Sequence, residues 1–366
     1  MRRCNECVRS TGNRFHIDKP ARVCYIVFAD NRREKNMITL TPSTLPNAAQ
    51  RAQMERKYGM FIHFGINTFY DTEWSDGRLP VSGYRPTAID ADGWVRNAYE
   101  AGMNYVILIT KHHDGFCLWD TTTTDYCVNK SPCPTDVVAE VAKACKKYGI
   151  GLGLYYSLWD RHEPCYKDNA AYHDLMCAHL TELLGGKYGE ICELWLDGAW
   201  DKHPWQWDVA RLYDLAHRLQ PNIAFAVNNT IGKAGLFKLT SRRYLPHRYR
   251  EGMPIRYFPT DFRLWDPFFP PESDPKLYSH GGKSYYLPFE ATICMRPPNN
   301  WFWDPKYEKD KLAGADYIAE KYRSLTAQGN VLVVNVAPDT NGRQTAGDVE
   351  CLLAAADLLG IRRSAD

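Results

Sequence analysis

No stretch of this 366-residue chain approaches the roughly 18 consecutive apolar residues that a membrane-spanning helix requires. Charge of one sign is also missing: the formal net charge is +2, so nothing draws the chain to nucleic acid or to an acidic membrane surface. No convincing signal peptide is visible, because the apolar stretch from Val23 to Ala29 is short, lies late and runs into Asp30 and further charge. Cys4 and Cys7 form a lone CxxC with no second pair to complete a zinc site. The twelve cysteines fall at irregular spacings, and Cys145, Cys192 and Cys294 sit inside predicted strands and helices. That usage reads as free thiols in a reducing compartment, so a cytoplasmic location is expected. Internal repeats and low-complexity linkers are absent, which favours one domain. Residues 1–36 are basic, polar and poorly patterned; they read as a flexible extension or a start codon placed too early, ahead of a globular domain over 37–366.

What the chain does have is aromatic content, at 13%. That has two readings: a densely packed core, or a carbohydrate site in which flat rings cover the apolar faces of sugars. From Met60 onward, short apolar runs alternate with amphipathic segments. Strands are predicted at 60–65, 105–110, 150–156, 191–196, 223–227, 285–292 and 331–336. Helices are predicted at 92–101, in the segment ending at Gly149 with Thr135 as its cap, and at 170–184, 207–219, 314–325 and 346–359. The segment 228–284 is rich in Pro, Arg and aromatics and resists assignment. Strands alternating with helices mean a parallel sheet. About eight such units at this length fit a closed (β/α)8 barrel of the TIM type.

Polar clusters appear where the strands run out. Tyr105–Ile109 leads into Lys111-His112-His113-Asp114-Gly115-Phe116, and Ile191–Leu196 leads into Asp197-Gly198. In a barrel those strand ends form the catalytic face. Asp197 there can point a carboxylate into the mouth, with Gly198 leaving room beside it; the plainer reading is that Asp197 caps the next segment. His112 and His113 can be metal ligands, as in a metal-dependent hydrolase barrel. They lack the His-x-His spacer such a site uses, and the strand at 223–227 carries no histidine.

Taken in order, the motifs resemble glycoside hydrolase family 29, the α-L-fucosidases. They are Gly59-Met60-Phe61-Ile62-His63-Phe64-Gly65, Glu73-Trp74, the Lys111–Phe116 cluster, Gly151–Ser157, Leu194-Trp195-Leu196-Asp197-Gly198 and Val334–Pro338. The resemblance runs from about Met54 to Leu359 and is strongest between Gly59 and Gly198. It implies a retaining exo-α-L-fucosidase acting on fucosylated glycans or glycoconjugates, or on a close relative such as an L-galactoside, with no metal or organic cofactor. It assigns Asp197 as nucleophile, and His63, Glu73, Trp74, His112, His113, Tyr155 and Trp195 as sugar contacts. Retaining glycosidases need a second carboxyl as acid/base. Glu290, in Leu287-Pro288-Phe289-Glu290, is the choice, since it resembles a Pro-Trp-Glu segment that carries this role; Glu163, Glu251 and Glu272 are rivals. Arg256 and Arg263 are further candidates that could orient a carboxylate, or form structural ion pairs. Many family members continue into a β-sandwich, which is not seen after the barrel pattern. The alternatives are a catalytically degenerate barrel that binds fucosylated glycans, or a metal-dependent hydrolase.

Overall fold

The computed structural model describes residues 37–232, 249–296 and 300–365. The expected extension over 1–36 and the middle of the 228–284 segment lie outside the described residues. The strands are β1 (Tyr58–Ile62), β2 (Tyr105–Lys111), β3 (Gly151–Ser157), β4 (Glu193–Asp197), β5 (Ala224–Val227), β6 (Arg263–Leu264), an antiparallel hairpin of β7 (Leu277–His280) and β8 (Lys283–Tyr286), then β9 (Phe289–Cys294) and β10 (Val331–Asn335). All but the hairpin join one parallel sheet in the order β5-β4-β3-β2-β1-β10-β9-β6. Irregular bonds close the seam between β5 and β6. The Asp261 amide donates to the Phe225 carbonyl (2.8 Å), Asp261 Oδ2 accepts from the Phe225 amide (2.9 Å), and the Thr230 amide donates to the Leu264 carbonyl (3.2 Å). The result is a (β/α)8-type barrel.

Helices α1 (Ala48–Arg56), α2 (Ala91–Glu100), α3 (Val137–Tyr148), α4 (Asn169–Leu184), α5 (Val209–Leu219), α6 (Ala315–Ala327) and α7 (Ala346–Leu359) accompany the strands. β2 shows why its apolar run is continuous. Tyr105, Ile107 and Ile109 fill the barrel, while Val106 and Leu108 face the helices, so both faces are dry. Helix α1 has no apolar stripe; it sends Gln50 and Gln53 inward, where they bond groups at the N-terminal ends of the strands.

Two local expectations change and one strand is new. Asp136, not Thr135, caps α3: its Oδ1 accepts from the Ala139 amide (2.9 Å). The strand expected over 285–292 divides into β8 and β9. β6, only two residues long, was hidden in the unassigned segment, because two residues carry no periodicity.

Glycine at position 59 gives the barrel interior room for a large ring. A Cβ there would lie 2.5 Å from Tyr105 Cε1, and Tyr105 is fully buried. Gly59→Ala should lower stability by about 1–3 kcal/mol, the usual penalty of overpacking. Urea denaturation checks this, and an unchanged midpoint would rule it out.

Candidate active site

A pocket of about 410 Å³, counted out to its open mouth, sits at the C-terminal tips of the strands. His63, Glu73, Trp74, His112, His113, Tyr155, Trp195 and Asp197 all line it. Phe61, Trp200, Asp266 and Trp301 complete the lining and were not anticipated as site residues. Trp200 had a signal, since it lies three residues past a polar strand end. Asp266 follows the unrecognised β6 and had none.

Only part of the Lys111–Phe116 cluster faces the pocket. Lys111 Nζ pairs with Asp160 Oδ2 (2.9 Å) with both side chains buried, tying the loop after β2 to the loop after β3. Asp114 Oδ1 accepts from the Phe116 amide (2.7 Å). Gly115 adopts a left-handed φ of 91°, and a Cβ there would lie 2.5 Å from Asp160 Oδ1. These residues shape the turn that turns His112 and His113 inward.

Hydrogen bonds fix two of the imidazoles. Asn335 Nδ2 donates to the Trp301 carbonyl (3.0 Å), which directs Asn335 Oδ1 at His63 Nδ1 (2.6 Å). His63 therefore donates from Nδ1 and keeps Nε2 as an acceptor. The Ser157 hydroxyl donates to the Trp159 carbonyl (2.6 Å), so it accepts from His113 Nδ1 (2.7 Å). That leaves the His113 Nε2 lone pair 3.8 Å from Asp197 Oδ2. Burial holds His63 and His113 neutral, with pKa values lowered to about 3, and lowers His112 well below the usual range.

Asp197 ends β4. Its Oδ2 accepts from the Tyr155 hydroxyl (2.9 Å) and its Oδ1 from Asn228 Nδ2 (3.0 Å). Burial raises its pKa to about 6, against these donors and the Gly198 amide. Gly198 does not open space for a ligand: φ is 74°, and a Cβ would meet Trp159 Cβ at 2.7 Å. Glu73 Oε2 accepts from the Trp301 and Phe302 amides (3.2 Å each), while its buried Oε1 has no partner. Burial raises Glu73 to about 8, with Asp304 adding to it. Trp74, half exposed at the rim, meets His113 edge-on at 5.5 Å.

Glu290 is not in this pocket, which corrects its expected placement. It is the second residue of β9 and pairs in register with Val331, the first residue of β10. The strand tip, Cys294, is four steps further on, about 13 Å at strand rise. Its carboxylate accepts from the Tyr105 hydroxyl (2.7 Å), Trp195 Nε1 (3.1 Å) and Gln53 Nε2 (3.3 Å) at the closed end of the barrel. None of the rivals lines the pocket either. Glu251 and Glu272 are exposed, and Glu163 accepts from the Cys165 amide. Arg263 is buried in an ion pair with Asp274 (2.8 Å), and Arg256 stands outside the lining. Among the described residues, no three His, Cys, Asp or Glu side chains are gathered as a metal site would require.

A family model described as alpha-L-fucosidase matches residues 27–362. The chain belongs to the α-L-fucosidase family. Alpha-L-fucosidase 1 of Arabidopsis thaliana is 35% identical over 84% of this chain and 59% of its own. The chain spans just under three fifths of the length of the two plant relatives it matches. Among solved structures, SpGH29 superposes with a TM-score of 0.66 at 27% identity, covering 88% of this chain and 70% of its own. Alpha-L-fucosidase isoenzyme 1 from Paenibacillus thiaminolyticus gives 0.67 at 27% identity, covering 86% and 76%.

The neutral imidazoles of this fucosidase-family pocket can be tested directly. The ring C–H resonances of His63, His112 and His113 should not titrate between pH 5 and 8. An NMR titration with single His→Gln variants for assignment checks this; a midpoint near 6.5 for any of the three would contradict the burial argument.

Proposed function

We propose that the protein is a retaining exo-α-L-fucosidase that releases terminal α-L-fucose from glycans or glycoconjugates. The observation that carries this reading is the Asp197 carboxylate, held by two side-chain donors at a strand tip inside a pocket of aromatic rings and neutral imidazoles. Phe61 and Trp195 line the pocket and are buried in the barrel core, which supports the exo reading: a site closed at its inner end suits the end of a sugar chain. Sugar hydroxyls find acceptors at His63 Nε2 and His113 Nε2, and a donor at Glu73 Oε1, where burial raises the carboxyl pKa to about 8. The rings supply apolar surface for the sugar faces and for the methyl group of fucose.

In a double displacement Asp197 attacks the anomeric carbon, while a second carboxyl group protonates the departing oxygen and later activates water. The fucosyl-enzyme is an ester of Asp197. None of these steps uses a metal or an organic cofactor.

The reading is tested on a chromogenic α-L-fucoside. The parent should turn over, and Asp197→Gly should lose activity and regain it with azide as β-L-fucosyl azide. Undiminished turnover in that variant would remove Asp197 as nucleophile. No turnover by the parent on any α-L-fucoside would overturn the activity and leave a glycan-binding barrel. Because Asp197 must be ionised to attack, and burial lifts it to about 6, kcat/KM should fall as pH drops through about 6. A flat profile down to pH 4.5 would contradict this. Glu290→Gln should keep kcat within about tenfold of the parent and form no fucosyl azide, since a group outside the pocket supplies none of the 10²–10⁴ typical of acid/base catalysis. A larger loss with azide rescue would return Glu290 to the chemistry.

A further inference from the structure

The pocket holds three carboxyl groups, Glu73, Asp197 and Asp266, and their surroundings differ. Asp197 takes donors on both oxygens. Glu73 has one oxygen clamped by two backbone amides. Asp266 Oδ1 is buried with no partner, so that oxygen receives none of the donors that would favour its charged form. Asn228 connects the two aspartates. Its Nδ2 donates to Asp197 Oδ1 (3.0 Å), and its Oδ1 accepts from the Asp266 amide (3.2 Å) and from the Asn229 amide (2.8 Å). Asp197 ends β4, Asn228 follows β5, and Asp266 follows β6 by two residues, so successive strand tips present the pair.

We propose that Asp266 is the acid/base carboxyl of this site, held at a set distance from the nucleophile by Asn228. This rests on the retaining fucosidase reading above. In the first step Asp266 gives its proton to the glycosidic oxygen as the C1–O bond breaks, and an Asp197 oxygen bonds to C1. In the second, water yields a proton to the Asp266 carboxylate and its oxygen bonds to C1. The Asp197–C1 bond breaks with its electron pair returning to Asp197, and Asp266 is protonated again.

The electrostatics agree with the geometry. Burial raises Asp266 well above the carboxylate range, and the charges of Asp197 and Glu73 raise it further. Asp197, rich in donors, ionises first. Two carboxyl groups whose surroundings separate their proton affinities in this way divide into a nucleophile and an acid. Glu73 is the other possible acid. Burial raises it to about 8 against its two backbone amides, but the Asn228 side chain links Asp266, and not Glu73, to the nucleophile.

The full chain is compared with Asp266→Gly, Asp266→Asn, Glu73→Gln and Asp197→Gly on two α-L-fucosides, one with an activated aryl leaving group and one with an alkyl leaving group. Removing the acid should slow the alkyl fucoside by about 10²–10⁴ and the activated one far less. Azide should accelerate the Asp266 variants on the activated substrate and give α-L-fucosyl azide, the retained anomer, because azide captures the fucosyl-enzyme without a base. Asp266→Asn preserves the side-chain shape, so unfolding of the glycine variant does not blunt the test. If the Asp266 variants act on the alkyl fucoside like the parent, or if Glu73→Gln yields the α-azide in their place, the assignment is overturned. In either case β-azide from Asp197→Gly still supports the fucosidase reading. An inactive parent overturns both.

Discussion

Two side-chain donors converge on the carboxylate of Asp197: the Tyr155 hydroxyl and Asn228 Nδ2. Burial alone would push a carboxyl group toward its neutral form, since water no longer solvates the charge. The donors oppose that, and the balance leaves the group near 6, ionised at neutral pH yet poorly solvated. Each donor is itself held. Tyr155 stacks on Trp195 with ring centroids 5.5 Å apart, and Trp195 Nε1 is anchored on Glu290. Asn228 is oriented by two backbone amides. The pocket's most reactive group is thus positioned by bonds that run down to the closed end of the barrel.

The inward face of β4 shows how depth decides what an acidic side chain can do. Glu193, Trp195 and Asp197 alternate along it, spaced about 6.6 Å apart at two residues of strand rise. At the bottom, Glu193 meets Arg56 at 3.3 Å, and burial together with the charge of Glu290 raises it well above the carboxylate range. Burial raises Glu290 as well, and the Tyr105 and Gln53 donors oppose that rise. The same side-chain type therefore appears at both ends of one barrel. The upper end opens to a ligand; the lower network is buried beneath α1, where Gln53 Oε1, Arg56 Nε and Glu193 Oε1 stay without hydrogen-bond partners among the described residues.

Much of this was legible because strand ends announce themselves. An apolar run ending in His-His-Asp or Asp-Gly marks both the strand and its polar tip, which singled out His112, His113 and Asp197; His63, Glu73, Trp74, Tyr155 and Trp195 were named through the family resemblance, and all eight line one pocket. The ninth, Glu290, was misplaced because a local segment does not show which end of its strand a residue occupies. Its register against Val331 does. Asp266 was invisible for a related reason. A two-residue strand carries no periodicity, and closure at β5–β6 relies on the Asp261 side chain and on Thr230, not on a regular ladder. The aromatic surplus served both of its readings: Phe61 and Trp195 belong to the barrel core and also floor the pocket.

On the proposed reading, neutral imidazoles determine what the pocket can distinguish. His63 and His113 each expend their one N–H on the protein and face the pocket as acceptors, while Glu73, raised to about 8 by burial, offers Oε1 as a donor. His113 Nε2 and Asp197 Oδ2, 3.8 Å apart, are two acceptors with no proton between them, a place suited to a donor hydroxyl. A sugar that lacks the matching hydroxyl leaves buried acceptors unpaired, and sites built on such contacts reject the wrong ligand by factors of roughly 10⁴–10⁵. The methyl group of fucose is read differently. An apolar wall discriminates weakly, by roughly 10² against an isostere that merely adds a hydroxyl. On that reading the ring-hydroxyl stereochemistry is read strictly and the C6 substituent loosely.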